Sequence, residues 1–294
     1  MGRAEELASR IGPDMWAVAC SVGSEPVDAI ELTTLASPAL ERASFRLAYS
    51  DGRLCKIRRM QSVGAARRVR ELRTLVDGAH MPVLLGAQGA VLLTEWSEGS
   101  APKPFEGESL TAAGELLGRL HATPVPEELI RAYGFPPDGW PGRLEANLRV
   151  LVDAGALSVK SAGLASECAR RTAPPEVRRA LVHCDFCPEN LVVGSQGHLE
   201  LIDNENLTVD ALAFDLARTW YRWPFAPSTV TPFWAGYRRS SDPSPFLDHK
   251  EHWLVQALSE AAAFRVAGRT ANPEVPVAAL ERLLAGPGFE HGPA

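Results

Sequence analysis

The sequence has no long apolar run and no excess of basic residues. None of its segments approaches the roughly 20 consecutive apolar residues that a membrane-spanning helix needs, and its first residues, MGRAEELASRIG, contain glutamates where a signal peptide requires an apolar stretch. Its 30 Lys and Arg are outnumbered by 36 Asp and Glu, which gives a formal net charge of −6. This balance does not favour nucleic acid or an anionic membrane as a partner. We therefore expect a cytoplasmic protein that binds neither nucleic acid nor membrane.

Cysteine is also sparse. The 5 cysteines are scattered and odd in number, which argues against a disulfide framework and fits a reducing compartment. Only Cys184 and Cys187 have the spacing of a metal-binding pair, and the sequence has no second pair to complete a tetrahedral zinc site. With 46% hydrophobic residues among 294, the composition is that of a globular protein long enough for one large core or two smaller ones.

The hydrophobic pattern changes character near Glu98–Pro104, where glycine, serine and proline cluster. Before this break the sequence is rich in strand-like segments, at Asp28–Leu35, Ser44–Tyr49, Leu54–Arg58 and Ala90–Leu93. The turn signal SDGR lies between the second and third of these segments and predicts a hairpin. A single helix is predicted here, over Ser62–Val76, from its apolar residues at helical spacing.

After the break, helical periodicity dominates. Ser109 is a candidate N-cap for a helix that carries Leu110, Leu116 and Leu120 on one face. Further helices are predicted around Gly142–Ala154, Asp210–Tyr221, His249–Val266 and Val277–Leu284. Among them, Leu191–Val193 and Leu199–Ile202 predict a short hairpin. The sequence thus predicts an α+β protein with a small β-rich N-terminal lobe, residues 1–99, and a larger, mainly helical C-terminal lobe, residues 100–294.

The most informative segment is LVHCDFCPENLVVGSQGHLELID, which runs from Leu181 to Asp203. It contains Asp185, then Asn190 at the start of the predicted hairpin, then Asp203 after an apolar strand. Phosphoryl transfer needs a carboxylate that orients the acceptor hydroxyl and takes its proton, and oxygen ligands that hold Mg²⁺. The order of these residues predicts Asp185 as the catalytic base and Asn190 and Asp203 as metal ligands.

This segment resembles the catalytic and metal-binding motifs of the aminoglycoside phosphotransferase and choline kinase families, which are relatives of the protein kinases. Ile202–Glu205 is similar to the family's I-D-x-E, and Asp215–Ala217 to its D-L-A, whose aspartate braces the catalytic loop. The run Leu116–Pro124 resembles the helix that precedes that loop. The resemblance extends from about Leu47 to Trp220 and is stronger in the second lobe.

The resemblance implies a two-lobed protein-kinase-like fold with a hinge near residues 94–99. It also implies a small-molecule kinase that uses Mg²⁺ to transfer the γ-phosphate of ATP or GTP to a hydroxyl group of a small acceptor, such as an antibiotic. A catalytically silent nucleotide-binding or scaffold protein of the same fold is the alternative. A protein-substrate kinase is disfavoured, because no Ala-Pro-Glu segment follows Asp203.

In the first lobe, the resemblance implies that Lys56 binds the nucleotide, with Arg58 and Arg59 as alternatives. A lysine among apolar strand residues requires a buried partner, which a phosphate and a carboxylate would supply. Glu71 is the only carboxylate in the predicted helix that follows, so we expect it to be the counter-ion of Lys56.

At the hinge, the resemblance implies that backbone groups read the adenine edge of the nucleotide. We expect these groups to be the carbonyl of Thr94 and the amide of Trp96. The chain departs from kinases at Leu35–Ser44, which contains no glycine where kinases have a glycine-rich phosphate loop.

The acceptor is harder to predict. Carboxylates of the C-terminal lobe lie among Arg238, Arg239 and Lys250, so the sequence shows no acidic wall for a polycation. Aromatic residues are concentrated between Trp220 and Tyr237. They either pack the helical lobe or line a pocket for a neutral or weakly cationic acceptor with a ring. Sequence patterns leave the oligomeric state open.

Overall fold

The computed structural model describes residues 2–32, 43–76, 80–102, 107–136, 138–194, 197–223, 225, 227–268 and 274–286. Backbone contacts divide the chain into two units, Met1–Ala101 with Leu191–Leu207, and Pro102–Asn190 with Thr208–Ala294. The predicted hairpin thus groups with the first unit. Most of the glycine-free loop, residues 35–42, lies outside the described residues.

The strands are β1 (Pro26–Glu31), β2 (Ser44–Tyr49), β3 (Leu54–Arg59), β4 (Leu84–Gln88), β5 (Val91–Glu95), β6 (Gly99–Ser100), β7 (Arg179–Val182), β8 (Leu191–Gly194), β9 (Leu199–Leu201) and β10 (Thr208–Ala211). The helices are α1 (Arg3–Ile11), α2 (Pro13–Cys20), α3 (Val63–Arg73), α4 (Gly107–Ala122), α5 (Glu127–Tyr133), α6 (Trp140–Asp153), α7 (Val159–Arg171), α8 (Leu212–Arg222), α9 (Pro227–Tyr237), α10 (Ser244–Leu247), α11 (Lys250–Gly268) and α12 (Glu274–Ala285). No helix among the described residues has both the length and the apolar content that crossing a membrane requires.

The first unit is built on an antiparallel five-stranded sheet in the order β1-β2-β3-β5-β4. The predicted hairpin of β2 and β3 is present, with Phe45 opposite Ile57 in the ladder. Strand β4 was not predicted, because its sequence LLGAQ is short and contains a glycine. A smaller three-stranded sheet, in the order β6-β8-β9, belongs to the same unit.

The prediction of a single helix in this unit is wrong, because α1 and α2 precede the sheet. Their buried residues include Ile11 and Met15, which join Leu47 and Ile57 in one apolar core. Gly12, at φ 91°, separates the two helices and leaves each only two turns long. Short helices give a weak periodic signal, which explains why this pair was missed.

The second unit is mainly helical, as predicted, so the α+β class is confirmed. Its helices α4 and α9 pack with their backbones in contact. A Cβ atom on Gly114 would lie 2.0 Å from the carbonyl oxygen of Phe233, and one on Gly236 would lie 1.9 Å from that of Thr111. Only glycine permits so close an approach. The short antiparallel pair of β7 and β10 leads from this core into the loop that carries Asp185.

The helices predicted around Gly142, Asp210, His249 and Val277 are present as α6, α8, α11 and α12. Ser109 lies inside α4 rather than at its N-cap. Helices α5, α7 and α9 were not predicted. The small and polar residues of α7 give no apolar stripe, and α9 contains Pro232, which normally argues against a helix interior.

The aromatic residues between Trp220 and Tyr237 form a core. Six of them are buried: Trp220, Trp223, Phe225, Phe233, Trp234 and Tyr237. Their rings pack on one another, with Trp220 and Trp234 stacked at 6.0 Å and Phe233 edge-on to Trp234 at 5.2 Å between centroids. The structure therefore supports the packing alternative, and the aromatic acceptor pocket loses its basis.

Candidate active site

The loop after β7 brings two of the predicted site residues together. The side-chain amide of Asn190 donates to the backbone carbonyl of Asp185 at 2.9 Å and to its carboxylate oxygen Oδ2 at 3.0 Å. Asn190 lies in a short 3₁₀ turn, Pro188–Asn190, and is buried. Because both amide hydrogens face Asp185, the carbonyl oxygen Oδ1 is the atom of Asn190 suited to a metal ion.

Arg222, which was not predicted as a site residue, also holds the Asp185 carboxylate. Its Nη1 donates to Oδ1 at 2.7 Å, and its Nη2 lies 3.2 Å from the Cys187 sulfur. Burial raises the pKa of the Cys187 thiol to about 12, so this cysteine is not a thiolate near neutral pH.

One face of α8 holds the start of the predicted catalytic loop, residues 183–185. Asp215, Arg218 and Arg222 follow one another at helical spacing, three and then four residues apart, so they lie on the same side of the helix. Asp215 accepts from the backbone amides of His183 at 3.0 Å and Cys184 at 2.9 Å. Arg218 donates to the Cys184 carbonyl, and Arg222 holds Asp185. The spacing of these three charged residues is visible in the sequence and is a signal by which Arg222 could be predicted as a site residue.

Asp215 is completely buried and is tied to two further helices. His121 on α4 lies 3.1 Å from Asp215 Oδ2 through Nε2, and 2.8 Å from the Tyr237 hydroxyl on α9 through Nδ1. Burial opposes ionisation of this carboxyl, but hydrogen bonds from His121 and the His183 amide outweigh it and lower the pKa of Asp215. The aspartate thus stays ionised and joins α4, α8 and the catalytic loop.

Backbone strain coincides with the predicted site residues. Among the described residues, the non-glycine positions with positive φ are Cys184, at 67°, and Asp203, at 58°. The first immediately precedes Asp185, and the second is a predicted metal ligand. Left-handed backbone in such residues costs about 1–3 kcal/mol and is concentrated at functional sites. At Cys184, the amide donates to Asp215 and the carbonyl accepts from Arg218, and these two bonds hold the backbone in this conformation.

In the first unit, Lys56 on β3 forms an ion pair with Asp203, which follows β9. Arg58, two residues along the same strand, pairs with Glu205 at 2.6 Å and lies 4.0 Å from Asp203. Arg59 instead pairs with Asp14 of α2. Of the three cations considered for nucleotide binding, Lys56 is therefore the one that reaches Asp203 directly.

Other partners are present for both members of the expected Lys56–Glu71 pair, which stays a prediction. Glu71 lies 3.5 Å from Arg67, one turn earlier on α3, while Lys56 is neutralised by Asp203. The residue of α3 that faces the segment after β9 is Arg68, which donates to the Leu207 carbonyl at 3.1 Å. The prediction for Glu71 follows from its being the only carboxylate of α3. Composition alone does not tell which side of a helix a residue faces.

At the predicted hinge, the backbone directions differ from those expected. The amide of Trp96 donates to the Leu54 carbonyl at 3.1 Å, and Thr94 stands opposite Lys56 in the same ladder. Since alternate residues of a strand face the same neighbour, the backbone groups of Thr94 and Trp96 both belong to the sheet. The carbonyl of Glu95 and the amide of Ser97 point away from β3. The Ser97 hydroxyl is buried without a hydrogen-bond partner in the described part of the chain.

Comparison with known proteins identifies relatives. A model of the phosphotransferase enzyme family matches residues 31–279. The homoserine kinase of Afipia carboxidovorans is 28% identical over 152 residues, which is 50% of this chain and 45% of that enzyme. The chain thus matches less than half of the length of this curated relative.

Solved structures share the fold. Choline kinase LicA from Streptococcus pneumoniae superposes with a TM-score of 0.69 at 12% identity, covering 96% of this chain and 98% of that one. Spectinomycin phosphotransferase APH(9)-Ia, solved with ADP and spectinomycin, gives a TM-score of 0.61 at 11% identity, covering 96% and 94% of the two chains. These similarities confirm the predicted protein-kinase-like fold and the predicted resemblance to aminoglycoside phosphotransferases and choline kinases.

Proposed function

Because the chain belongs to the phosphotransferase enzyme family, we propose that it transfers the γ-phosphate of ATP or GTP to a hydroxyl group of a small molecule. The observation that carries the proposal is the Asp185 carboxylate, which is fixed by Asn190 on one oxygen and by Arg222 on the other. A base must be held in one orientation to accept a proton from a bound hydroxyl. Spectinomycin phosphotransferase, which shares the fold, was solved with ADP.

Asp185 acts as the base in this proposal. Each oxygen of a carboxylate can accept about two hydrogen bonds, so the acceptor hydroxyl can donate to Asp185 while Asn190 and Arg222 stay in place. The hydroxyl is then oriented for attack on the γ-phosphorus. Its proton passes to the carboxylate as the new phosphorus–oxygen bond forms and the bond from the γ-phosphorus to the nucleoside diphosphate breaks, so that ADP or GDP leaves.

Lys56, Asp203 and Asn190 serve the nucleotide. A carboxylate oxygen and an amide oxygen are the ligand types that Mg²⁺ takes, and Mg²⁺ usually needs only one or two carboxylates besides phosphates and water. Asp203 and Asn190 offer donors of these two types. Bound Mg²⁺ supplies positive charge to the phosphate oxygens. Lys56, already next to Asp203, would bind a phosphate through its ammonium group.

The adenine edge would meet the Glu95 carbonyl and the Ser97 amide in place of the Thr94 and Trp96 groups. The sheet uses the amide of Trp96, whereas the unpartnered Ser97 hydroxyl marks this position as one where a polar ligand would be favoured. Glu71, on α3, remains a predicted residue of the nucleotide site.

Acceptors to test include those of the similar proteins, namely homoserine, choline and spectinomycin. An antibiotic and a small metabolite are both consistent with the family. The decisive measurement is phosphorylation of a panel of such acceptors by Mg²⁺-ATP and Mg²⁺-GTP, with the phosphorylated product identified by mass spectrometry.

Asp185→Asn tests the assignment of the base. Loss of a general base lowers kcat by at least about 10²-fold, and nucleotide binding should stay close to that of the wild type. Asp153→Asn, a substitution at an exposed aspartate of α6, is the matched control and should keep full activity. Retention of most activity in Asp185→Asn would refute the assignment. Failure of the wild-type protein to phosphorylate any acceptor would favour the catalytically silent alternative.

A further inference from the structure

Arg222 is placed to do more than hold Asp185. Its side chain is 33% exposed, so one side of the guanidinium reaches solvent beside the proposed base. Apart from Asp185, its contacts are poor ones: the sulfur of Cys187 at 3.2 Å is a weak acceptor, and the Glu189 carboxylate is 3.9 Å away. Asp185 draws the pKa of Arg222 upward against the effect of burial, so the group stays positively charged.

The carboxylates around the catalytic loop, in contrast, already have cationic or hydrogen-bonding partners. Asp185 pairs with Arg222 at 2.7 Å, and the exposed Glu189, at 3.9 Å from the same arginine, is only loosely paired. Glu260 on α11 is shared by Arg143 and Arg218. Asp215 is enclosed by His121 and two backbone amides. A cationic acceptor would therefore have to compete with Arg222 for Asp185, and with Arg143 and Arg218 for Glu260, at a cost in desolvation that binding must recover.

The local field points the same way. Arg218, one turn before Arg222 on α8, donates to the carbonyl of Cys184 beside Asp185, so a second guanidinium lies at this loop. A guanidinium presents a planar fork of N–H donors that matches carboxylate and phosphate groups. An anion that approaches Asp185 from solvent would thus find its best partner in Arg222.

We propose that Arg222 binds an anionic group of the acceptor, so that the substrate of this kinase carries a carboxylate or phosphate a short carbon chain away from the hydroxyl that is phosphorylated. The inference rests on the proposed function and names the acceptor class for it. The hydroxyl donates to Asp185, the anionic group accepts from the exposed N–H groups of Arg222, and the Arg222–Asp185 hydrogen bond sets the distance between them. This differs from the neutral or weakly cationic acceptor expected from the aromatic residues, which are buried.

The test uses acceptors in matched pairs that differ in one charge: L-homoserine with L-homoserine amide, and glycerate with glyceramide, beside choline as a cationic probe. The wild-type protein should phosphorylate at least one acid with a kcat/KM about 10-fold or more above that of its amide. Arg222→Met should raise the KM for the acid by about 10- to 100-fold, the range expected for loss of a charge-assisted hydrogen bond. Because Arg222 also holds Asp185, kcat should fall for the acid and the amide alike, whereas the KM for the amide should change far less than the KM for the acid. Arg222→Lys keeps the charge and should restore part of the selectivity.

Arg149→Met is the matched control. Arg149 forms a surface pair with Glu145 at 2.8 Å and has no proposed role in the loop. Thermal melting of each variant shows whether it is folded, and Arg222→Lys serves as the test if Arg222→Met is not. An equal fall in kcat for acid and amide, with KM unchanged, would overturn the proposal and assign Arg222 to Asp185 or to the transferred phosphoryl group. Efficient turnover of choline that is insensitive to Arg222 would also overturn it and leave the kinase assignment intact. Lack of turnover with every acceptor would instead refute the proposed function.

Discussion

Replacing Asp215 by asparagine should destabilise the protein strongly, although the two side chains have nearly the same shape. Asp215 accepts hydrogen bonds on both carboxylate oxygens, from Cys184 on Oδ1 and from His183 and His121 on Oδ2. An asparagine has one acceptor oxygen, and its NH₂ group would face a donor on the other side. At least one buried N–H group would therefore lose its partner, whichever way the amide is turned.

The expected magnitude follows from these contacts. An orphaned buried donor costs about 1–3 kcal/mol, and the remaining bonds, now to a neutral acceptor, are each weaker by about 1 kcal/mol. The sum is about 3–5 kcal/mol, in the range of other buried pairs that lose one partner. For a unit of about 150–250 residues, each kcal/mol lowers Tm by about 2–4 °C. Asp215→Asn should thus melt roughly 6–20 °C below the wild type.

Thermal melting and urea unfolding at pH 7 measure this difference. Asp51→Asn is the control, because Asp51 also accepts two bonds, from the backbone amide and the side chain of Arg53, but its side chain is 48% exposed. Exposed pairs contribute at most about 1 kcal/mol, so this variant should melt close to the wild type. Equal melting of Asp215→Asn and the wild type would refute the idea that this aspartate braces the loop.

The pH dependence gives a second check. The folded structure lowers the pKa of Asp215 below its ordinary value of 3.8, so ionisation of this group stabilises the folded state above that pH. As the pH falls through the folded pKa, the carboxylate is protonated and this contribution disappears. The stability gap between the wild type and Asp215→Asn should therefore be constant near neutral pH and shrink in acid below that value. A gap that widens in acid would contradict the assigned direction.

Two further predictions concern the nucleotide site and the aromatic core. Asp203→Asn should abolish Mg²⁺-dependent ATP binding in calorimetric titration. Ser97→Pro, which removes the amide hydrogen as well as the hydroxyl, should weaken ATP binding more than Ser97→Ala, which removes the hydroxyl alone. Unchanged affinity in both Asp203→Asn and Ser97→Pro would contradict the site. Trp234→Ala should cost about 3–5 kcal/mol in unfolding free energy, since the indole is buried among other rings, and it should leave the acceptor KM of the folded fraction unchanged, whereas a raised KM without loss of stability would restore the aromatic pocket.

Much of the fold follows from local patterns in the sequence. The hairpin of β2 and β3 is specified by SDGR between two β-rich runs, and α6, α8 and α11 by their apolar periodicity. Elements without such a signal were missed, including the short α1 and α2 and the proline-containing α9. Their conformations depend on burial against neighbours, which a single sequence does not display.

The sequence by itself determined the type and order of the residues that are predicted to carry the chemistry. Asp185 and Asn190 are five positions apart, close enough for a short turn to join them, and Asp203 follows the hairpin directly. Their roles stay predictions, but their type and order are fixed by covalent connection alone. The same holds for the glycine-free composition of Leu35–Ser44 and for the concentration of aromatics near α8 and α9.

Only the tertiary structure decided the partners. Lys56 pairs with Asp203 across 147 residues, and Arg222 reaches Asp185 across 37, whereas Glu71, expected beside Lys56, lies 3.5 Å from Arg67. At the hinge, strand register assigned the Trp96 amide to the sheet. The sequence shows the sign of a charged residue but not the side of the element on which it lies. That side is set by strand register, helix rotation and packing. These depend on residues far away in the chain, and they decide which charges meet.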